Sequence, residues 1–160
     1  MIVRKGKVED IPYIEQIYVH AKEQMVKNNN PHQWDKGYPN IEVVSADIEN
    51  GNCYILEEKG RVCGVFALFF TEDPTYSYIE GKWINNYPYA TIHRIASNNT
   101  TKGVLKAATE YALQFVDNVK IDTHKDNIVM QNALNKLGFI YCGIIYLSNG
   151  DPRLAFQKVK

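Results

Sequence analysis

Two strand–turn–helix units follow each other in the second half of the chain. A strand-like stretch at 91–96 leads into a helix with one apolar side over 104–116. A second strand at 119–122 leads into a helix over 128–137, which Gly138 ends. Strands alternating with helices in this way predict a sheet that carries helices packed against it.

The first half and the C-terminal part of the chain supply the other elements of the predicted fold. These are strands at 2–4, 53–57, 62–70, 139–147 and 154–158 and helices over 12–27 and 41–50. The order β-α-α-β-β-β-α-β-α-β-β predicts an α/β (α+β) fold with a mixed central sheet and helices on both faces. At 160 residues the chain fits a single domain spanning 1–160. The segment 71–88 is expected to be an excursion between strands, and Thr91 and Arg94 are expected at the sheet surface.

Composition excludes several classes of partner. The 18 basic and 18 acidic residues balance, so no general field attracts a polyanion, and nucleic acid is not expected as a partner. Cys53, Cys63 and Cys142 fall in apolar runs without metal-ligand spacing, which predicts buried, reduced thiols and no metal site. Neither a signal peptide nor a run of about 20 apolar residues is found, so we expect a cytoplasmic protein without membrane association.

The polar turn at 97–103 is a candidate anion site. It joins a strand to the start of a helix, where unpaired backbone N–H groups and the helix dipole suit a phosphate. Because every β–α junction has such a turn, the motif alone does not decide between a phosphate site and an ordinary connection.

Two blocks of sequence, in order, resemble a known superfamily. The first is HRIAS at 93–97 followed by the Lys102-Gly103 turn, and the second is DTHKDN at 122–127 before a helix that ends in KLGF at 136–139. With the closing runs at 141–146 and 153–156, they resemble the GNAT (Gcn5-related N-acetyltransferase) superfamily, in a bacterial branch. The resemblance covers the chain from Ala90 to about Lys158, and the upstream elements fit the same topology.

The resemblance implies a mostly antiparallel sheet of about seven strands, splayed between the fourth and fifth, with acetyl-coenzyme A entering the gap. It implies that the backbone of Ile95, Ala96 and Ser97 pairs with the pantetheine amides, and that Asn127 contacts the cofactor from the other side. The amides expected to hold the pyrophosphate belong to Thr100, Thr101, Lys102, Gly103, Val104 and Leu105.

Two positions depart from the family pattern. Thr100 and Leu105 stand where the pyrophosphate turn usually has Gln or Arg and a small residue, so the Leu105 side chain could crowd the diphosphate. Leu134 stands where many members have a tyrosine that protonates the leaving thiolate.

The activity that the resemblance implies is transfer of an acetyl group to a primary amine by direct attack in a ternary complex. The amine must lose a proton first, and His93, His124 and Glu80 are the candidate bases, with Tyr146 as the candidate acid. Each of three candidates also has a purely structural alternative. His93 could form a hydrogen bond in the core, His124 could belong to a helix-capping turn, and Tyr146 could pack in a strand.

The acceptor is expected to be an amine on a small molecule or a peptide. Trp34 and Tyr38 lie in an aromatic loop that could wall its pocket or merely cover the core. Two other hypotheses stay open: a protein that binds an acyl-coenzyme A or another small ligand without turnover, and a structural protein that has lost the ligand gap. A homodimer is compatible with all three hypotheses.

Overall fold

The computed structural model describes residues 1–160. The strands are β1 (Ile2–Lys5), β2 (Cys53–Glu58), β3 (Arg61–Phe69), β4 (Glu80–Gly81), β5 (Ala90–Ser97), β6 (Asn118–Thr123), β7 (Ile140–Tyr146) and β8 (Pro152–Val159). The helices are α1 (Ile11–Lys27), α2 (Ile41–Glu49), α3 (Val104–Ala112) and α4 (Ile128–Lys136), with short 3-10 helices at Val8–Asp10 and Pro74–Tyr76.

All eight strands form one sheet in the order β1-β2-β3-β5-β6-β8-β7-β4. Only β5 and β6 are parallel; every other neighbouring pair is antiparallel. The predicted mixed, mostly antiparallel sheet is therefore confirmed. The last strand, β8, lies between β6 and β7, so it has no free edge for a second copy of the chain, and the homodimer stays a prediction.

The eighth strand, β4, was not expected. It lies in the excursion after β3 and pairs Gly81 with Gly143 of β7. Two residues are too short to show the alternation that identifies a strand. Both glycines are required where they stand, because a Cβ on Gly143 would lie 2.1 Å from the Glu80 carbonyl oxygen and one on Gly81 would lie 2.2 Å from that of Cys142.

Helices cover both faces of the sheet, as predicted. On one face α3 and α4 bury Val104, Ala108 and Leu134 against Phe66 and Ile92 of the sheet. On the other face α1 and α2 bury an apolar stripe made of Ile14, Ile17, Tyr18 and Val44. A third apolar cluster, which includes Tyr76, Trp83 and Ile145, lies under the excursion and fixes it to β7 and β8.

Helix α3 is shorter than its sequence pattern indicates. It ends at Ala112 rather than at 116, and Phe115, which falls on the apolar side of the predicted helix, is 58% exposed. The N–H groups of Gln114 and Phe115 bond to the carbonyl oxygens three residues earlier, so the last turn is tighter than an α-helix and rotates Phe115 outward.

None of the helices has both the length and the apolar character that a membrane span requires. The three cysteines are buried, as expected.

Candidate active site

Strands β5 and β6 separate after two paired residues. Ala90 pairs with Val119 and Thr91 with Lys120, and the ladder then ends although β5 continues to Ser97. On its other edge β6 remains fully paired with β8. Because β4 was not predicted, β5 and β6 are the fourth and fifth strands of the predicted fold, and the splay that the resemblance implied between them is present. It leaves the backbone of β5 from Ile92 onward without a strand partner on this side.

A β-bulge shapes the same part of β5. Arg94 and Ile95 together stand opposite Phe66, and Arg94 has a left-handed backbone with φ of +51°. That conformation costs roughly 1–2 kcal/mol in a residue other than glycine, so the surroundings must hold it. The Arg94 guanidinium bonds to the Asp47 carboxylate at 2.7 and 3.0 Å, and Tyr18 donates its hydroxyl hydrogen to the Arg94 carbonyl oxygen at 2.8 Å.

These contacts correct two expectations for β5. Arg94 does not lie at the sheet surface, because its side chain is only 14% exposed and is paired with Asp47. Thr91 is fully buried, at the last paired position before the strands separate. A strand pattern shows which residues alternate, but it does not show that a bulge turns one of them inward.

The gap between β5 and α4 forms a cleft of about 250 Å³, here called the β5–α4 cleft. Six of the predicted cofactor residues line it: Ile95, Ala96, Ser97, Val104, Leu105 and Asn127. The other four, Thr100, Thr101, Lys102 and Gly103, form the loop that enters α3 and do not line the cleft. The structure thus places the predicted cofactor residues in two adjoining groups.

The loop before α3 presents unpaired backbone N–H groups. Gly103 occupies the helix cap with φ of +89°, and no side chain accepts a bond from the first turn. Asn98 holds the preceding turn, since its side-chain oxygen accepts from the N–H and the hydroxyl group of Thr100. The Leu105 side chain packs against the core cluster under α3.

Asn30 provides a test of whether a polar ligand fits the β5–α4 cleft. It lines the cleft and is 2% exposed, yet neither its side-chain oxygen nor its side-chain nitrogen has a hydrogen-bond partner in the protein. A buried amide without partners costs roughly 1–3 kcal/mol, and such groups are rare in folded proteins. The pantetheine arm of coenzyme A carries two amides, whose N–H and carbonyl groups are the kinds of partner that these two atoms lack.

A second cleft of about 460 Å³, here called the His93 cleft, adjoins the first. Trp34 and Tyr38 of the aromatic loop line it together with His93, and their contact with an acceptor stays a prediction. The two clefts share Met25, Ile95, Asn127 and Met130. They therefore meet at the bulge of β5.

The His93 cleft is rich in carboxylates. Four aspartates line it, Asp35, Asp73, Asp122 and Asp151. His93 lies between two of them: its Nε2 is 2.7 Å from Asp73 Oδ2 and its Nδ1 is 4.0 Å from Asp122 Oδ2. Asp122 also accepts a hydrogen bond of 2.6 Å from the Tyr76 hydroxyl.

The charge of Asp73 settles which nitrogen of His93 donates. Burial alone would raise the pKa of Asp73, but hydrogen bonds from His93 and Thr75 outweigh it and lower the pKa to about 2. Asp73 is then ionised at neutral pH and can only accept, so His93 Nε2 is the donor. Nδ1 of a neutral His93 consequently carries the lone pair that can take up a proton.

The other three candidate catalytic residues line neither cleft. His124 accepts a hydrogen bond from the N–H of Asp126 through Nδ1, and burial, with the nearby positive charge of Arg153, lowers its pKa. Glu80 and Tyr146 are exposed and bond to each other at 2.8 Å, and this bond raises the pKa of the Tyr146 hydroxyl. Only His93 of the four reaches the cleft that the aromatic loop covers.

The side chain of Asn127 is largely occupied by the protein itself. Its oxygen accepts from the N–H of Met130 and so caps α4, and its nitrogen donates to the side-chain oxygen of Gln33 at 3.2 Å. The same Gln33 oxygen accepts from Thr123 and from the backbone of His124, which ties the loop after α1 to the end of β6. Asn127 keeps one amide hydrogen for a ligand.

Sequence reasoning missed several residues of the two clefts, namely Asn30, Gln33, Asp73, Asp122 and Arg153. Asp73 follows β3 and Asp122 lies in β6, so only the sheet order brings them to either side of His93. The sequence of β6 does not single out Asp122, because Lys120 of the same strand is charged as well, is buried and lines neither cleft. Asn30 and Gln33 lie in a loop whose pattern does not single them out either.

Of three comparisons with known proteins, the one with solved structures points to a family. No model of a protein family matches the sequence, and no curated protein does. Among solved structures, an acetyltransferase of the GNAT family from Streptococcus agalactiae is 32% identical, with a TM-score of 0.89, over 99% of this chain and 95% of that one.

Two more distant structures share the fold. A ribosomal-protein-alanine N-acetyltransferase from Brucella melitensis is 18% identical with a TM-score of 0.67, and each chain is fully covered. The yncA protein of Salmonella typhimurium, whose structure contains acetyl-coenzyme A, is 15% identical with a TM-score of 0.65, over 99% of this chain and 93% of that one. The 32% identity to the streptococcal protein, which extends over 99% of this chain, together with the splayed sheet, shows that this chain belongs to the GNAT family of acetyltransferases.

Proposed function

We propose that the protein transfers the acetyl group of acetyl-coenzyme A to a primary amine by direct attack in a ternary complex. The observation that carries the proposal is the meeting of two unlike clefts at the bulge of β5. One cleft has an open strand edge and an unpartnered amide, which suits a pantetheine arm. The other has four carboxylates and a histidine, which suits an ammonium group and its deprotonation.

The β5–α4 cleft would hold the donor through three sets of groups. Asn30 can accept from one pantetheine N–H and donate to a carbonyl oxygen, and the free edge of β5 at residues 95–97 offers further backbone partners. The uncapped amides around Gly103 and Leu105 suit the pyrophosphate. Once bound, acetyl-coenzyme A supplies a thioester carbonyl carbon for the amine to attack, with the thiolate as leaving group.

His93 is the residue proposed to take the amine proton. Alkyl ammonium groups have a pKa of about 10.4, so at neutral pH a base must remove a proton before the nitrogen can attack. Nδ1 of His93 is free to accept it, while Asp73 holds the ring through Nε2 at 2.7 Å. The imidazolium that forms lies beside Asp73 and Asp122, and these two negative charges stabilise it.

A second function has one observation in its favour. Leu134, which stands where many family members have an acidic tyrosine, is fully buried in the core under α4. The helix therefore offers no acid for the thiolate at this position. A protein that binds acyl-coenzyme A without turnover would need no such acid.

The test combines binding and turnover. We expect acetyl-coenzyme A and desulfo-coenzyme A to raise the melting temperature, since a ligand at a hundredfold excess over Kd adds about 2.7 kcal/mol of stability. A panel of amines should release free thiol from acetyl-coenzyme A. Binding without thiol release from any amine would favour the second function, and no binding at millimolar concentration would contradict both.

Variants of two histidines test the assignment of the base. His93→Gln should lower kcat/KM by about 10²–10⁴-fold while acetyl-coenzyme A still raises the melting temperature. His124→Gln, which changes the rival candidate outside both clefts, should leave kcat/KM within about threefold. The reverse ranking would overturn the role of His93.

A further inference from the structure

Arg153 is a buried cation in the wall of the His93 cleft. It lies in β8, is 6% exposed and lines the cleft beside Asn149 and Asp151. Its guanidinium donates to the carbonyl oxygens of Pro152 at 2.9 Å and Gln33 at 3.2 Å. The other three of its five N–H groups have no hydrogen-bond partner in the protein.

The charge of Arg153 has no counter-ion in the chain. No carboxylate oxygen lies within 4.0 Å of its guanidinium. The other two arginines with sheltered side chains do have one: Arg4 pairs with Asp10 at 2.8 Å, and Arg94 pairs with Asp47 at 2.7 Å. Because a buried charge without a partner is strongly unfavourable, an unpaired arginine in a cleft indicates an anionic ligand.

Sheet register places Arg153 on the same face as the proposed base. Asp122 of β6 stands opposite Ala155, and Arg153 is two residues from Ala155 on the same strand, so both side chains point to one face. Diagonal neighbours of this kind are about 7–8 Å apart at the backbone. His93 is on the other side of Asp122, at 4.0 Å between Nδ1 and Oδ2.

We propose that Arg153 binds the carboxylate of the acceptor, so that the acceptor carries a carboxylate and a primary amine in one molecule. The inference rests on the proposed acetyl transfer, because it takes the His93 cleft to be the acceptor site. The amine lies at His93 and Asp122, and the carboxylate lies one strand further along the sheet at β8. Free amino acids and short peptides both have this chemistry.

The charge of the cleft favours a carboxylate over a phosphate. Four aspartates line the cleft with Arg153, and a doubly charged phosphate would be repelled by them. A zwitterion has one negative group for Arg153 and one positive group for the aspartates. Its two charges therefore match the two kinds of charged side chain in the cleft.

Binding to the full-length protein with saturating desulfo-coenzyme A tests the inference independently of turnover. The probes are the twenty common L-amino acids and a series of glycyl dipeptides, each compared with its carboxamide, in which the carboxylate is neutral. At least one amino acid or dipeptide should bind at least tenfold more tightly than its carboxamide. Whichever of the two sets of probes binds, amino acids or dipeptides, identifies the kind of molecule that supplies the carboxylate.

Arg153→Gln should weaken binding of the carboxylate ligand but not of its carboxamide, so that the ratio of the two affinities falls to less than about twofold. Arg153→Lys keeps a positive charge and should restore part of that ratio. Acetyl-coenzyme A should raise the melting temperature of both variants as it does that of the wild type, which shows that they fold. Arg61→Gln changes an exposed arginine outside both clefts and should leave every ratio unchanged.

The outcomes separate this inference from the proposed function. Tight binding of an amino carboxylate without acetyl transfer supports the role of Arg153 and contradicts the transferase. Acetylation of amines and carboxamides as readily as of amino carboxylates overturns the role of Arg153 and leaves the transferase standing. Failure of every amino acid and dipeptide to bind also overturns it.

Discussion

Individual polar residues without partners mark the two clefts. The three buried side-chain atoms that lack hydrogen bonds belong to Asn30 and Thr91, and the sheltered arginine without a carboxylate is Arg153. Most of the other buried polar side chains are hydrogen-bonded, as in the pairing of Gln157 with Asn118 at 3.0 Å, and the buried Lys120 lies over the rings of Trp83 and Tyr89. Asn30 and Arg153 line the clefts, and Thr91 is the last residue of β5 that pairs with β6. Unsatisfied or unpaired buried groups therefore accompany both of the proposed ligand sites.

Asn30→Leu separates the stability of the protein from its affinity for the donor. Leucine has a similar volume and no polar atoms, so removal of the unpartnered amide should stabilise the ligand-free protein or leave it unchanged. Loss of one or two hydrogen bonds should weaken acetyl-coenzyme A about 3- to 30-fold. Thermal unfolding and calorimetric titration measure the two effects.

A matched control for Asn30→Leu lies on α4. Asn132 is exposed and lines neither cleft, so Asn132→Leu should leave acetyl-coenzyme A affinity unchanged. Unaltered donor affinity in Asn30→Leu would show that no ligand amide reaches this residue.

At the scale of secondary-structure elements, the short strand β4 holds the excursion that supplies Asp73 to the His93 cleft and the Tyr76 hydroxyl to Asp122. It is attached to β7 through Gly81 and Gly143, whose backbones approach too closely for any side chain. The Trp83 indole also donates to the Tyr76 carbonyl oxygen at 3.0 Å, within the apolar cluster under the excursion. The position of Asp73 beside His93 therefore depends on an attachment to β7, which is far from either residue in sequence.

Gly143→Ala should detach β4 from β7. The added methyl group would meet the Glu80 carbonyl at 2.1 Å in a backbone with φ of +144°, so we expect a loss of about 2–4 kcal/mol in the free energy of unfolding. Amide hydrogen exchange should quicken at residues 80–82. Gly150→Ala is the control, since its φ of +90° is strained but the space around it is open, and it should cost only about 1 kcal/mol. Equal losses in the two variants would refute a role for the close approach.

For the whole molecule, the sequence predicts the order of elements and most of their bounds, since nearly every long strand and helix shows its periodicity. The cofactor residues at 95–97 could be placed because the resemblance carries them as one contiguous block. The acceptor side could not, because Asp73, His93, Asp122 and Arg153 come from four places in the chain and only the sheet order joins them. The inward turn of Arg94 depends on a bulge and an ion pair with Asp47, and neither leaves a local pattern in the sequence.

The stability of the whole protein should fall in two stages as the pH is lowered. Burial, with the charge of Arg153, lowers the pKa of His124 below its ordinary value of 6.5. Between pH 6.5 and this lowered pKa, the unfolded chain binds a proton that the folded protein does not. Stability is then lost as the pH falls through 6.5. Asp73, with a pKa lowered from 3.8 to about 2 by His93 and Thr75 against the effect of burial, adds a second loss below pH 4, on the order of 2 kcal/mol.

Urea unfolding at pH 7.5, 5.5 and 2.0 measures both stages. His124→Gln should remove the decline between pH 7.5 and 5.5, and Asp73→Asn should flatten only the decline below pH 4, because each variant removes one group whose proton affinity differs between the folded and unfolded states. Asp10 also has a pKa lowered by its hydrogen bond to Arg4, so both variants should still lose part of their unfolding free energy at acid pH. A stability maximum near pH 5.5 would contradict the lowered pKa of His124, and an unchanged acid limb in Asp73→Asn would contradict the hydrogen bond that holds His93 in place.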